Sequence, residues 1–276
     1  MWRKTLGAPM VALALVAFIM AAAEADTIDD IKARGKIIVG SKADYKPWGF
    51  RDATGAIIGM EADLAKDVAD RLGVELELVP VVAANRMQFL EQGKIDLLIA
   101  TMSDTAKRRK VVGIVQPNYY SSGTNVLAHE NHGFEEWDDL RGRKVCGIQG
   151  AWYNKSVSEK YGAEIVAFKG TPEVYTALKA DNCVAFVYDD SSIMSQLADK
   201  EKWGGYEMPL ATEDDTPWGI AVRLEDKNKA FGGFMSGVIY DWHESGKLIE
   251  LEKKWGIQPT GFLQKMHEQL KDWMTE

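Results

Sequence analysis

Lys36-Ile37-Ile38-Val39-Gly40, followed by Asp63-Leu64-Ala65-Lys66-Asp67-Val68-Ala69-Asp70-Arg71-Leu72-Gly73-Val74, is the stretch that decides the fold. The first segment is a short apolar run of the kind found in strands buried on both faces. In the second, Leu64, Ala65, Val68, Ala69 and Leu72 share one helical face. Gly73 suits the position just past a helix, where the backbone turns left-handed. Val74 to Val82 then alternates and reads as a second strand. Strand, helix and strand in this order form a parallel unit with the helix packed on the sheet.

Outward from this unit the pattern continues. Asn85 to Glu91 reads as a helix and Ile95 to Ala100 as a short apolar strand. Trp137 to Gly142 then leads into a strand at Lys144 to Ile148. A helix follows at Lys155 to Tyr161, a strand at Ile165 to Phe168, a helix at Thr171 to Ala180, and a strand at Val184 to Tyr188. Met87 to Ile99 runs helix, tight turn, apolar strand, and Val174 to Tyr188 repeats that order. Two α/β lobes of similar design are the expectation. A strand at Gly219 to Val222, helices at Lys227 to His243 and Leu248 to Trp255, and an amphipathic tail helix near Leu263 to Met274 complete the reading.

The 276 residues are 46% hydrophobic and 27% charged, with a net charge of −8. These values suit a globular chain and lack the basic footprint of a nucleic-acid binder. Trp2-Arg3-Lys4 makes a positive start, Ala8 to Ala23 is apolar, and Ala23-Glu24-Ala25 is a small-x-small pattern. This is the form of a secretory signal cleaved after Ala25. The apolar run falls short of the roughly 20 residues that span a bilayer. Cleavage would remove two positive charges and one negative, so −8 becomes −9. Export puts Cys146 and Cys183 in an oxidising compartment, where a disulfide between them is favoured over two buried thiols.

In open parallel sheets, ligands bind beyond the carboxyl ends of the strands. Three such ends carry chemistry here. Thr101-Met102-Ser103-Asp104-Thr105-Ala106-Lys107-Arg108 offers hydroxyls and an Arg fork suited to a carboxylate; the same residues also read as a capped helix start. Tyr188-Asp189-Asp190-Ser191-Ser192 offers a carboxylate for an ammonium group, or an N-cap. Asp44-Tyr45-Lys46-Pro47-Trp48-Gly49-Phe50 offers an aromatic platform, or loop packing on the core.

Ile38-Val39-Gly40…Asp44-Tyr45-x-Pro47, then Gly59-Met60-Glu61-x-Asp63-Leu64-Ala65, Gly93-Lys94-Ile95-Asp96 and Thr105-Ala106-Lys107-Arg108 form an ordered set. With Pro117-Asn118-Tyr119-Tyr120, Leu140 to Val145, Trp218 to Arg223 and Ser245-Gly246-Lys247-Leu248 to Gly256, the set resembles bacterial extracellular solute-binding proteins of family 3. These are periplasmic receptors of polar amino-acid ABC importers. The resemblance spans residues 27–257. It implies an α/β, two-lobed periplasmic-binding-protein-like fold of type II, with two mixed or parallel sheets flanked by helices and a hinge between lobes. Lobe one would comprise 26–120 and 217–276, with the helical tail, and lobe two 121–216. The chain would cross between them near Tyr120 and Thr216. A monomer that binds an amino acid, docks on a membrane permease and needs neither cofactor nor metal is implied.

Residue by residue, the resemblance implies that Arg108 forks the ligand α-carboxylate and that Ser103 donates to it. Thr101 and Asp189 would hold the α-ammonium, and Tyr45 would stack on the ligand side chain beside Trp48. Met60 stands where the family often has a second aromatic. Arg86, in Asn85-Arg86-Met87, resembles the Arg that meets a side-chain carboxylate in acidic amino-acid receptors; a salt bridge is the competing reading. Where the family usually has Gly-Ser/Thr-Thr, this chain has Gly150-Ala151-Trp152-Tyr153, which removes a hydroxyl and brings two large aromatics to the site. The pocket is then either smaller or built to stack on a flat or apolar ligand; Arg86 suggests an acidic side chain, whereas Tyr45, Trp48, Trp152 and Tyr153 suggest an aromatic, apolar or cationic one. The same fold hosts cyclohexadienyl dehydratases, which need a poised acid; Glu164 and Asp190 are the only candidates. His129-Glu130-Asn131-His132 lacks the zinc-protease spacing.

Overall fold

The computed structural model describes residues 26–271. The expected cleavage site after Ala25 and the last residues of the expected tail helix lie outside them. Two sheets carry the chain. The first runs in the order Glu75–Val81, Lys36–Lys42, Leu97–Leu98, Ala221–Val222, Gly113–Ile114. Its first three strands are parallel and the returning Ala221–Val222 is antiparallel to its neighbours. The central Lys36–Lys42 strand is buried along most of its length, as a strand covered on both faces must be. Helix Met60–Leu72 covers the sheet with Leu64, Ala65 and Val68, all fully buried. Burying a Leu or Val side chain of this kind contributes about 1.5–3 kcal/mol. Gly73 ends the helix in the left-handed conformation, φ 69°.

The second sheet is ordered Glu164–Phe168, Lys144–Ile148, Ala185–Asp189, Tyr120–His129, Tyr206–Glu207, with Glu213–Trp218 also paired to Tyr120–His129. Helices Tyr153–Tyr161 and Thr171–Lys179 pack against it. A disulfide joins Cys146 to Cys183 with Cα atoms 5.6 Å apart. It closes a span of 37 residues, which in the chain-entropy account stabilises the lobe by about 4 kcal/mol.

Most of the expected elements lie where the periodicity places them and three of them differ, while the Tyr120–His129 strand, with which three strands of the second sheet pair, has no counterpart in the sequence reading. The ladder from Asp96 to Ile99 follows Lys36–Lys42 through backbone bonds to Ile38 and Gly40, but only Leu97–Leu98 has full strand geometry. The helix expected from Lys227 begins at Ala230. A short turn at Leu224–Asp226 precedes it, held by Asp226, whose carboxylate accepts from Thr27 Oγ1 at 2.9 Å and Arg223 Nε at 3.0 Å. The tail helix, Gly261–Leu270, packs on Ala230–Glu244 and buries Leu263 completely.

The chain leaves the first sheet after Ile114, enters the second at Tyr120, and returns through Trp218. Tyr120 and Trp218 are register partners in one antiparallel pair. Around this crossover Tyr45, Trp48, Tyr120 and Trp218 pack edge-on or tilted, with ring centroids 5.0–6.1 Å apart. Tyr45 also meets Tyr188 of the second sheet at 5.0 Å. The aromatic core therefore fills the junction between the lobes.

Candidate functional site

Five loop or strand-end segments converge between the two sheets. From the first lobe come Lys42, at the end of its central strand, then Ala83, Arg86, and the loop bearing Thr101, Ser103 and Arg108. From the second come Ile148, Ala151, Trp152, Tyr153, Tyr188 and Asp189. They enclose a cavity with about 20 Å³ of space for water centres, room for about one water.

The cationic wall is built from the sequence upward. Thr101 takes a left-handed backbone, φ 45°, rare for a β-branched residue. Its conformation is held from two sides. Its N–H donates to Glu61 Oε1 at 2.6 Å, and its carbonyl accepts from Arg86 Nη1 at 3.1 Å. Arg86 also donates to the Ala100 carbonyl, and its Nε is buried with no hydrogen-bond partner. Tyr119 donates its hydroxyl to Glu61. Burial pushes the Glu61 carboxyl up to about 7, against these donors. Arg108 donates to the Ser103 carbonyl at 2.8 Å and, across the cleft, to the Gly150 carbonyl at 3.1 Å. Burial, and then Arg86, pulls Arg108 down to about 9, so it stays charged at neutral pH. Lys42 is buried and ion-paired to Asp44 at 2.7 Å; burial lowers its pKa and Asp44 opposes the shift.

One carboxylate faces these three cations. Asp189 Oδ2 accepts from Tyr45 Oη at 2.6 Å, a bond between the lobes. Burial, and secondarily Asp190, pushes Asp189 up to about 7. The two consecutive Asp residues have separate partners. Asp190 turns to the crossover strand and accepts from Ser122 Oγ at 2.7 Å and Gly123 N–H at 3.0 Å. Asp189 is the N-cap residue of the following helix but makes no side-chain cap bond, so its carboxylate is left to the cavity.

Of the residues singled out from sequence, Arg86, Thr101, Ser103, Arg108, Trp152, Tyr153 and Asp189 line this one cavity. Tyr45 does not line it but touches two residues that do, Asp189 and Tyr188. Trp48 and Met60 do not line it: both are fully inaccessible, Trp48 within the crossover aromatics and Met60 at the first turn of its helix. Lys42 and Tyr188 line the cavity but were not singled out as ligand residues. The apolar run ends at Gly40, but the strand continues to Lys42 and carries it to the cavity. Arg86 makes no surface salt bridge; it is buried and bonded to carbonyls. Glu164 is exposed on the outermost strand of its sheet and Asp190 is outside the cavity lining. His129 and His132 sit at a surface turn, and among the described residues no cluster has metal-ligand character.

A model of the bacterial extracellular solute-binding proteins, family 3, matches residues 37–258. The chain belongs to that family. Among its relatives, this solute-binding protein is 30% identical over 236 residues to the ABC transporter glutamine-binding protein GlnH of Bacillus subtilis, across 83% of this chain and 84% of that one. The crystal structure of a mutant of ArgBP from T. maritima superposes with a TM-score of 0.76 at 32% identity, covering 83% of this chain and 98% of that one. An ancestral amino acid-binding protein, AncCDT-1, described as a precursor of cyclohexadienyl dehydratase, superposes with a TM-score of 0.72 at 26% identity over 83% and 99%. The fold is accordingly the two-lobed, type II periplasmic-binding-protein architecture, with mixed sheets flanked by helices.

Proposed function

We propose that this chain is an exported receptor that captures an amino acid or a similar small zwitterion between its lobes and delivers it to the permease of an ABC importer. Residues 26–120 and 217–276 form one lobe and 121–216 the other, hinged near Tyr120 and Thr216. The observation that carries the reading is that Arg108 and Asp189, from opposite lobes, line one buried cavity. A carboxylate on Arg108, aided by Ser103, and an ammonium on Asp189, aided by Thr101, would join the lobes. Such a ligand has differential affinity for the closed form and shifts the hinge equilibrium toward it. The relative named as a glutamine-binding protein and the ancestral amino acid-binding protein support the ligand class.

The side chain of the ligand is read from charge. Lys42 and Arg86 are two buried cations beyond the one needed for an α-carboxylate, and Arg86 Nε is a donor without a partner. They favour an acidic or amide side chain over an apolar or cationic one. Trp152 and Tyr153 then serve as walls that exclude water. The receptor reading is supported over the enzyme by the relatives named as binding proteins and by Glu164 and Asp190 lying outside the cavity; Asp189, the carboxyl that lines it, is taken as the ammonium partner. The test is calorimetry of stripped protein against the amino acids, with glutamate, aspartate and glutamine expected to bind best. Incubation with prephenate or arogenate should give no product; turnover would overturn the receptor reading.

A further inference from the structure

We infer that Asp44 is a positioning residue that ties closure of the lobes to the placement of Lys42 in the cavity. Helix Thr171–Lys179 of the second lobe has Gly170 at its N-cap and no side-chain cap of its own. The cap comes from the other lobe: Asp44 Oδ2 accepts from the Thr171 N–H at 3.3 Å, and the Asp44 carbonyl accepts from Thr171 Oγ1. A carboxylate at this helix end satisfies an otherwise orphan donor and suits the helix dipole. Glycine leaves room for the approach, since a Cβ on Gly170 would stand 2.7 Å from Asp44 Oδ2 and the carboxylate would have to shift. The other oxygen, Oδ1, faces Lys42 Nζ at 2.7 Å, charge to charge but outside hydrogen-bond alignment.

One carboxylate therefore meets a buried cation of the cavity on one side and the opposite lobe on the other. When the lobes part, Asp44 loses Thr171 and Lys42 loses its fixed counter-ion. When they meet, Asp44 is held from the second lobe and Lys42 is fixed in turn. The closure half of this inference stands without any ligand; the Lys42 half rests on the receptor reading above.

The test is single-molecule energy transfer in ligand-free protein labelled through Lys66→Cys and Lys155→Cys, one site in each lobe. The two native cysteines are disulfide-bonded, so the introduced thiols label selectively. Thr171→Val removes one donor and leaves the Lys42–Asp44 pair, and Gly170→Ala pushes the carboxylate away. Each should lower the closed-to-open ratio about five-fold, the ~1 kcal/mol of a helix cap converted at 1.4 kcal/mol per tenfold. If both variants melt cooperatively and show wild-type distance distributions, the closure half is wrong. Asp44→Asn keeps an acceptor for Thr171 but drops the charge at Lys42. It should change the distances less than either of those variants while weakening the best-bound acidic or amide ligand by tenfold or more. Unchanged affinity would overturn the Lys42 half, and a wild type that binds no amino acid would overturn it together with the receptor reading, with the distance result standing on its own.

Discussion

Arg108 holds two backbone carbonyls, one on each side of the cleft. That arrangement sets it where a ligand carboxylate would bring both lobes to the same fork. Arg108→Ala should lower affinity for the best-bound amino acid by at least 100-fold, since a bidentate charged contact is worth about 3 kcal/mol or more. Its melting temperature should stay within a few degrees of wild type, because the variant removes a desolvated charge along with its bonds. Calorimetry and a thermal melt read the two effects separately. Asp189 adds a pH dependence. Its pKa of about 7 means that the anion needed for an ammonium partner forms only as pH rises. Affinity should therefore climb between pH 5.5 and 7.5, by up to tenfold per unit on the acid side, and Asp189→Asn should flatten the profile.

The segment at Gly150 shows how one element closes the site. Gly150 has φ +82°, and a Cβ there would lie 2.9 Å from the backbone of Ala83 and Ala84 in the opposite lobe. Gly150→Ala is strained in any conformation near this one and also blocks the interlobe approach. It should weaken ligand binding more than ten-fold while leaving the isolated fold intact by circular dichroism. The crossover aromatics answer to a different measurement. Trp48 is fully buried against Tyr45, Tyr120 and Trp218, so Trp48→Ala should cost about 3–5 kcal/mol of stability, read in a denaturant titration. On a sequence, an aromatic after a Pro-containing turn looks the same whether it faces a ligand or the core. Which it does depends on Tyr120 and Trp218, more than 70 positions away, and local pattern carries no trace of them.

At the scale of the whole molecule, two buried carboxyls link stability to pH. Glu61 and Asp189 both sit near 7 in the folded chain because burial disfavours their charge, whereas in the unfolded chain they return to about 4. Between those values the folded state holds protons that the unfolded state has released, so stability falls as pH rises from about 4 to 7. Glu61→Gln should make that decline shallower in melts run across the range. The architecture itself was legible because apolar runs and helical faces recur with strong periods, and because strand–helix–strand order has few parallel solutions. The site was legible only where chemistry clusters at strand ends, as at Thr101–Arg108 and Asp189. Lys42 escaped because a lysine two residues past an apolar run normally belongs to solvent, whereas here it is buried and paired with Asp44.

The central claim is that one zwitterion is held between Arg108 of the first lobe and Asp189 of the second. Isothermal titration calorimetry of protein unfolded and refolded to strip carried ligand, run against the amino acids at pH 7.5, tests it most directly. The account predicts saturable heat for an acidic or amide amino acid at a one-to-one stoichiometry, lost in both Arg108→Ala and Asp189→Ala. No heat from any amino acid, or the same affinity in either variant, would contradict it.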